Sequence, residues 1–235
     1  MAKKDKGDRD NTGAGLVAYT EPKSAASEAY RTLRTNIQFA SPDKPVHTIL
    51  ATSTSPDDGK STTIANLAIT FAAAGSPTVL VDADLRRPHL HKIFELSNDY
   101  GLTTLVTSMA RSKDGESPKL PLQDTRVENL KVLTSGPVPP NPAEILASQR
   151  MAEILALLRS GAEYVLIDTP PIIAVTDAAV LSPRVDGVLL VVNAGKTRRD
   201  LAIKARDMLH QVNANILGVV LNNARIDKSA YEYYG

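Results

Sequence analysis

The stretch that decides the fold is TSTSPDDGKSTT, residues 52–63. A short apolar run, HTILATS (47–53), leads into it, and a helical pattern over residues 61–75 follows it. It contains Gly59-Lys60-Ser61, the G-K-[ST] of a Walker A motif, whose backbone N–H groups and helix N-terminus hold phosphate oxygens. The strict motif has a glycine five residues before Gly59, where this chain has Thr54. The tripeptide alone is a weak signal, so the strand–loop–helix context carries the prediction of a phosphate loop.

The rest of the chain alternates short apolar runs with helical patterns. The apolar runs are typical of buried strands and occupy residues 78–84, 130–135, 164–168, 187–195 and 216–223. The helical patterns cover residues 24–40, 142–160, 175–182 and 198–212. This alternation predicts an α/β fold like that of P-loop NTPases, with three layers and a mostly parallel central sheet flanked by helices.

The domain organisation expected from the pattern is simple. We predict a flexible N-terminal arm at residues 1–22, one P-loop domain at 23–223 and a tyrosine-rich C-terminal tail at 224–235. Three of the seven tyrosines of the chain lie in its last five residues, YEYYG.

Composition excludes several classes of function. The chain has no cysteine, which excludes disulfides, thiolate catalysis and iron–sulfur ligation. Its net charge of +1 gives no argument for nucleic acid as a partner. The charged opening predicts no signal peptide, and the apolar stretches fall short of the roughly 20 residues that span a bilayer. We therefore expect any membrane association to come through a partner.

Two further strands end in carboxylates. VLVDAD (79–84) leads into Asp82 and Asp84, whose spacing puts both side chains on one side of an extended chain. YVLIDTPP (164–171) delivers Asp168 in the same way. Acids and a phosphate loop at one edge of a parallel sheet predict a site for a magnesium nucleotide.

These motifs together resemble those of bacterial tyrosine kinases of the capsular and exopolysaccharide type. Residues 82–86 match that family's Walker A′ motif, D-x-D-x-R, with Arg86 as its last position, and residues 168–171 match its Walker B motif, D-x-P-P. SEAYRTLR (27–34) matches its E-x-x-R-x-x-R motif, and the tyrosine-rich tail matches its autophosphorylation cluster. The resemblance covers residues 20–235, nearly the whole chain.

The resemblance implies a protein-tyrosine kinase that uses ATP and Mg²⁺. Lys60 would reach the terminal phosphates, Asp82 would accept the tyrosine proton with Asp84 in support, and the metal would be held by Ser61, Asp82 and Asp168. The nucleotide contacts expected on this basis are Asp58, Gly59, Lys60, Ser61, Thr62, Arg86, Asn222 and Asn223.

The resemblance also implies an assembly. Glu28, Arg31 and Arg34 would dock one subunit onto the next in an octameric ring, although their spacing alone favours a solvated helix face. The phosphoacceptors in trans would be Tyr231, Tyr233 and Tyr234. A transmembrane regulator of polysaccharide chain length would activate the kinase, which would work in the cytoplasm, recruited to the inner face of the membrane. Protein tyrosines, and no nucleic acid, would be its substrates.

The sequence departs from the family at one position. The family usually has glycine after Pro56, and this chain has Asp57. Glycine allows a positive φ and a close approach to phosphate, whereas Asp57 restricts the backbone and adds negative charge.

An alternative function uses the same phosphate loop. A MinD- or ParA-like ATPase switch normally carries an extra lysine five residues before the catalytic lysine, where this chain has Ser55. An iron protein of the same superfamily would need cysteine ligands, which the sequence lacks.

Overall fold

A seven-stranded sheet forms the centre of the structure, a computed structural model that describes residues 15–40, 44–109 and 119–224. The strands are β1 (Thr48–Ser53), β2 (Thr78–Asp82), β3 (Gln123–Asp124), β4 (Leu130–Leu133), β5 (Tyr164–Asp168), β6 (Gly187–Asn193) and β7 (Ile216–Asn222). Their spatial order is β3-β4-β2-β5-β1-β6-β7, and every pair is parallel except β3 with β4.

Helices cover both faces of this sheet. They are α1 (Val17–Thr20), α2 (Ala25–Phe39), α3 (Lys60–Ala73), α4 (Leu90–Ile93), α5 (Leu102–Met109), α6 (Pro142–Ala147), α7 (Gln149–Gly161), α8 (Asp177–Leu181) and α9 (Arg199–Gln211). One apolar cluster joins the sheet to α2 and α3, and a second joins its other face to α5, α7 and α9. The predicted α/β fold with a mostly parallel sheet is therefore confirmed.

The structure differs from the sequence prediction in three local features. Residues 142–160 form two helices, because Ser148 has an extended backbone and its side chain caps α7 by accepting from Met151 N. The pattern did not predict α4, α5 or the short strand β3. Residues 15–22 of the predicted flexible arm include α1, whose start packs against α3.

A buried asparagine fixes the start of α1. Asn66 in α3 accepts from Ala18 N at 2.8 Å and donates to Gly15 O at 2.6 Å. Leu16 is buried in the same apolar cluster as α3. In the described part of the chain, no helix has both the length and the apolar character needed to cross a membrane.

The strand order positions the three motifs. β5 lies between β1 and β2, so the phosphate loop after β1 and the acidic ends of β2 and β5 meet at one edge of the sheet. Asp168 is the register partner of both Ala51 in β1 and Asp82 in β2. The predicted convergence of the motifs thus follows from parallel pairing.

Candidate active site

The phosphate loop turns sharply into α3 at Gly59. Gly59 has a φ of 87°, in the left-handed region, and a Cβ built there would lie 1.9 Å from Asn222 Nδ2. The positive φ favours glycine, and any larger residue would also have to displace the Asn222 amide. Lys60 follows as the first residue of α3, so the loop delivers the lysine at a helix N-terminus.

Asp58 holds the loop from within. One carboxylate oxygen accepts from Thr54 Oγ1 at 2.6 Å and from Ser55 N at 2.9 Å. The other accepts from Thr197 Oγ1 at 3.1 Å. These contacts give Thr54 a role at the position where the strict motif has glycine. Asp58 was predicted to contact nucleotide, and its side chain is buried within the loop.

Two asparagines at the ends of β6 and β7 support the loop backbone. Asn222 Nδ2 donates to Asp58 O at 3.0 Å, and Asn193 Nδ2 donates to Asp57 O at 3.4 Å. Asn222 and Asn223 were both predicted to contact the nucleotide. Asn222 contacts the phosphate loop, and Asn223 is exposed beside it. Sequence reasoning missed Asn193 and Thr197, which belong to no motif.

Asp57 adopts the backbone conformation that glycine would supply. Its φ is 64°, and its side chain is exposed at the cleft. Aspartate and asparagine tolerate this region better than other residues with a side chain, so the chain keeps the loop shape at a modest cost. The substitution also leaves a carboxylate where phosphates would approach.

Lys60 forms hydrogen bonds to one carboxylate from each acidic motif. Its Nζ donates to Asp84 Oδ2 at 3.0 Å, to Asp168 Oδ1 at 3.2 Å and to Ser61 Oγ at 3.1 Å. Ser61 Oγ donates in turn to Asp168 Oδ2 at 2.5 Å. The structure thus brings together one residue from each acidic strand end and two from the phosphate loop. Thr62, the next residue of α3, lines the same cleft.

Burial and charge shift the proton affinities of this cluster. Burial alone lowers the pKa of Lys60, but the charges of Asp168 and Asp84 outweigh it and leave that pKa above its usual value. Burial raises the pKa of Asp168, against the opposing charge of Lys60. Burial, and next the charge of Asp168, raise the pKa of Asp82 to about 8. The lysine is therefore firmly charged, whereas Asp82 holds its proton near neutral pH.

Asp82 does not face the cleft. Its Oδ2 accepts from His89 N at 3.0 Å and from Leu90 N at 2.9 Å, and its Oδ1 accepts from Asp84 N at 3.3 Å. The side chain is fully buried. Asp82 therefore shapes the loop after β2, and Asp84 is the carboxylate of this motif that lines the cleft.

The cleft itself has a volume of about 630 Å³, within the range of small-molecule sites. Its walls are the phosphate loop, the loop after β2 and the Pro-Pro turn after β5, represented by Pro56, Asp57, Asp84, Arg86, Arg87, His89, Pro170 and Pro171. Arg86 is fixed by Asp177, which sequence reasoning missed because an aspartate at the start of a helix is common.

Ser61 and Asp168 suit a magnesium ion that is also bound by phosphates. They offer one hydroxyl and one carboxylate within hydrogen-bonding distance of each other, and Mg²⁺ in nucleotide sites typically takes one or two such ligands. Asp82, predicted as a third ligand, does not fit, since its oxygens accept backbone N–H groups. Across the described ranges, no group of three or more His, Cys, Asp or Glu side chains is placed to hold a metal ion by itself. A magnesium ion here would therefore also need phosphate oxygens as ligands.

The arginine motif on α2 divides into two parts. Arg31 is partly exposed and paired with Glu28, and its Nη1 donates to Pro22 O at 2.8 Å. Arg34 turns onto its own subunit, where Nη1 donates to Thr70 O of α3 at 2.8 Å. The structure therefore leaves Glu28 and Arg31 available to a neighbour, while Arg34 also packs α2 on α3. The predicted phosphoacceptors Tyr231, Tyr233 and Tyr234 lie outside the described residues.

Comparison with known proteins identifies the family. Residues 45–231 match the ParA family, described as a NUBPL iron-transfer P-loop NTPase. The chain is 43% identical to tyrosine-protein kinase YwqD of Bacillus subtilis (strain 168), covering 97% of this chain and 95% of that protein. It is 40% identical to the putative tyrosine-protein kinase CapB of Staphylococcus aureus, over 100% of this chain and 99% of that one.

A solved structure agrees with these relatives. The crystal structure of the chimerical protein CapA2B2 superposes with a TM-score of 0.83 at 41% sequence identity, covering 91% of each chain. The matches extend over the phosphate loop and both acidic strand ends, whose contacts are described above. The chain therefore belongs to the bacterial tyrosine kinases, protein-tyrosine kinases built on the ParA type of P-loop NTPase fold.

Proposed function

We propose that this kinase transfers the γ-phosphoryl group of Mg²⁺–ATP to tyrosine hydroxyls, beginning in trans with Tyr231, Tyr233 and Tyr234 of a neighbouring copy. Through this reaction it regulates the synthesis and export of capsule or exopolysaccharide. The observation that carries the proposal is the meeting of Lys60 with residues of both acidic motifs beside the phosphate loop.

Nucleotide binding would use the loop and its lysine. Backbone N–H groups at the start of α3 and the helix dipole attract the phosphate oxygens. Lys60 would turn from its carboxylate partners toward the β- and γ-phosphates and stabilise the charge that develops on the transferred group. Mg²⁺, held by Ser61, Asp168 and phosphate oxygens, would add positive charge to the same place.

Proton removal from tyrosine would use the carboxylate that lines the cleft. The tyrosine hydroxyl forms a bond to the γ-phosphorus as the bond to the β-phosphate oxygen breaks, and ADP leaves. A tyrosine hydroxyl has a pKa near 10, so a nearby carboxylate assists by accepting its proton. We assign this role to Asp84, because Asp82, the candidate from the sequence, would first have to release the backbone N–H groups of His89 and Leu90.

Assembly would place the tail of one copy at the cleft of another. We propose an octameric ring that uses Glu28 and Arg31, with Arg34 holding α2 in position. The kinase would work in the cytoplasm at the inner face of the membrane, recruited and activated by a transmembrane regulator of polysaccharide chain length. The family resemblance and the partly exposed Glu28–Arg31 pair support this arrangement.

The test is phosphotyrosine on the purified chain after incubation with Mg²⁺–ATP. We expect intact-mass measurements to count added phosphates on the unmodified sequence, and Lys60→Met to abolish them without unfolding the protein. Lys131→Met is the matched control, since Lys131 is half-exposed and paired with Asp124 on β3. ATP hydrolysis without any phosphotyrosine would instead indicate the ATPase switch.

A further inference from the structure

The loop after β2 carries three basic side chains that the mechanism above does not use. Arg86, Arg87 and His89 are exposed and line the same cleft as Lys60, and together they form what we call the basic rim. We infer that the basic rim recognises an acidic side chain next to the acceptor tyrosine. This inference rests on the proposed tyrosine transfer to the tail.

Arg86 is held with one edge of its guanidinium free. Its Nε and Nη2 donate to the two oxygens of Asp177 at 2.9 Å and 3.0 Å. Asp177 is fully buried, whereas the Arg86 side chain is 39% exposed. The remaining edge, Nη1 with the second hydrogen of Nη2, has no hydrogen-bond partner in residues 15–40, 44–109 and 119–224. A planar guanidinium fixed on one edge is preorganised to bind a second carboxylate on the other.

The backbone of the loop is fixed as firmly as Arg86. Arg87 N donates to Asp84 Oδ1 at 3.0 Å, and His89 N donates to Asp82 Oδ2 at 3.0 Å. The side chains of Arg87 and His89 therefore start from an anchored backbone at the edge of the cleft. Arg86 and Arg87 therefore place two cationic groups at this edge, with the charge of Arg86 partly balanced by Asp177.

The contacts of Asp84 indicate that the rim serves the acceptor rather than the nucleotide. One oxygen of Asp84 accepts from Lys60, and the other accepts from Arg87 N. Asp84 thus lies between the phosphate-binding lysine and the basic rim. An acceptor whose hydroxyl reaches Asp84 would bring its flanking residues over the rim. An acidic flank would otherwise meet only the repulsion of Asp84, Asp168 and the phosphates.

The chain's own tail has the required sequence. Glu232 stands between Tyr231 and Tyr233 in AYEYYG, residues 230–235. A carboxylate directly beside an acceptor tyrosine is the chemistry that the free edge of Arg86 would bind. We therefore assign the substrate class as tyrosines flanked by acidic residues, with the tail of a neighbouring copy as the first member.

The experiment separates enzyme from acceptor. The enzyme is the full chain with Tyr231, Tyr233 and Tyr234 changed to Phe, and the acceptor is the full Lys60→Met chain with its tail intact. We expect Glu232→Gln in the acceptor to lower kcat/KM for the acceptor by roughly three- to tenfold, as for loss of one charged hydrogen bond. Arg86→Ala in the enzyme should remove this preference, so that both acceptors are used with equal kcat/KM.

A control variant tests whether the effect is specific to Arg86, and a binding measurement tests the basic rim without catalysis. Arg206→Ala, which changes an exposed arginine on α9, should preserve the preference. Equal rates for both acceptors, or an Arg86→Ala enzyme that keeps the preference, would overturn the inference. If no arm yields phosphotyrosine, the proposed function fails separately. Fluorescence anisotropy of labelled peptides copying residues 224–235, with and without E232Q, then tests the rim alone, and equal affinities would refute it.

Discussion

Asp82 and Asp168 are register partners at the carboxyl ends of neighbouring strands, yet Asp168 accepts from Lys60 while Asp82 accepts from the backbone of its own loop. Adjacent positions in a sheet therefore have different tasks in this site. Asp168 belongs to the phosphate-binding cluster, and Asp82 gives the loop after β2 its shape. The carboxylate presented to the cleft from that loop is Asp84, two residues later.

Replacing the two acids of the loop separately should distinguish their tasks. We expect Asp84→Asn to lower kcat by roughly 100-fold or more, the usual contribution of a positioned proton acceptor. Asp82→Asn should cost less, because an amide oxygen still accepts from His89 N and Leu90 N. Single-turnover labelling at saturating ATP would measure both. The reverse order of effects would show that Asp82 turns into the cleft during the reaction.

The buried state of Asp82 predicts a pH effect on stability. Its pKa of about 8 in the folded protein lies far above the value near 4 of an unfolded aspartate. A raised pKa stabilises the fold while the group is protonated, and this contribution is lost as the pH rises toward 8. Asp82→Asn cannot ionise, so from pH 5 to pH 8 its free energy of unfolding should rise relative to that of the unmodified protein, by on the order of 3–4 kcal/mol. Urea unfolding at the two pH values tests this, and parallel losses would contradict it.

The sequence predicted the edge of the sheet where the site forms because each motif is a contiguous strand followed by its loop. Parallel pairing then brings Asp168 and Lys60 together without further information. The supports of the site were not predictable in this way. Arg86 and Asp177 are 91 residues apart, and Thr197 and Asp58 are 139 apart.

Local patterns failed where tertiary contacts decide the outcome. The apolar pattern continues through Ser148 and therefore does not reveal the break between α6 and α7. Serine is nevertheless a good helix cap. The orientation of Asp82 also depends on where the backbone of residues 89 and 90 returns, which spacing within the motif does not reveal.

The two arginines of α2 should respond differently to truncation. Arg31→Ala should reduce the oligomer mass in light scattering and change the free energy of unfolding by less than about 0.5 kcal/mol, since its pair with Glu28 is partly exposed. Arg34→Ala should lower the free energy of unfolding by about 1–2 kcal/mol, because it loses the bond to Thr70 O and its packing on α3. Equal stability of the two variants would refute the different roles assigned to Arg31 and Arg34. An unchanged oligomer mass for Arg31→Ala would mean that Glu28 and Arg31 form a solvated helix face and not a subunit contact.

Changing Tyr231, Tyr233 and Tyr234 together to Phe should remove most autophosphorylation and leave ATP binding unchanged. Each phosphate adds about −1.5 to −2 charge at neutral pH, so a tail that carries three of them should be repelled by Asp84, Asp168 and the nucleotide phosphates more strongly than the basic rim attracts it. The phosphorylated protein should then be the more dissociated form, and the Phe variant should stay assembled with ATP. Oligomer mass alongside intact-mass counting tests both points. Phosphate found mainly on the exposed Tyr19 or Tyr100 would place the acceptors elsewhere.

Asp57 occupies the position where the family resemblance leads us to expect glycine. Asp57 combines a left-handed backbone with a carboxylate at the cleft, and two substitutions separate these effects. Asp57→Asn removes the charge and retains a residue that tolerates positive φ, so it should tighten ATP binding by about two- to fivefold at low salt. That gain should shrink at high ionic strength, because salt screens exposed charges.

Asp57→Gly removes the charge, as Asp57→Asn does, and also removes the strain of a side-chain-bearing residue at positive φ. Glycine removes a left-handed strain of about 1 kcal/mol but increases the entropy of the unfolded chain by a similar amount, so its stability should stay within about 1 kcal/mol of Asp57→Asn. Its ATP affinity should equal or exceed that of Asp57→Asn, since a loop without a side chain approaches phosphate more closely. Titration calorimetry at two salt concentrations measures both variants. An unchanged affinity of Asp57→Asn at low salt would mean that the Asp57 carboxylate lies beyond the field of the bound phosphates.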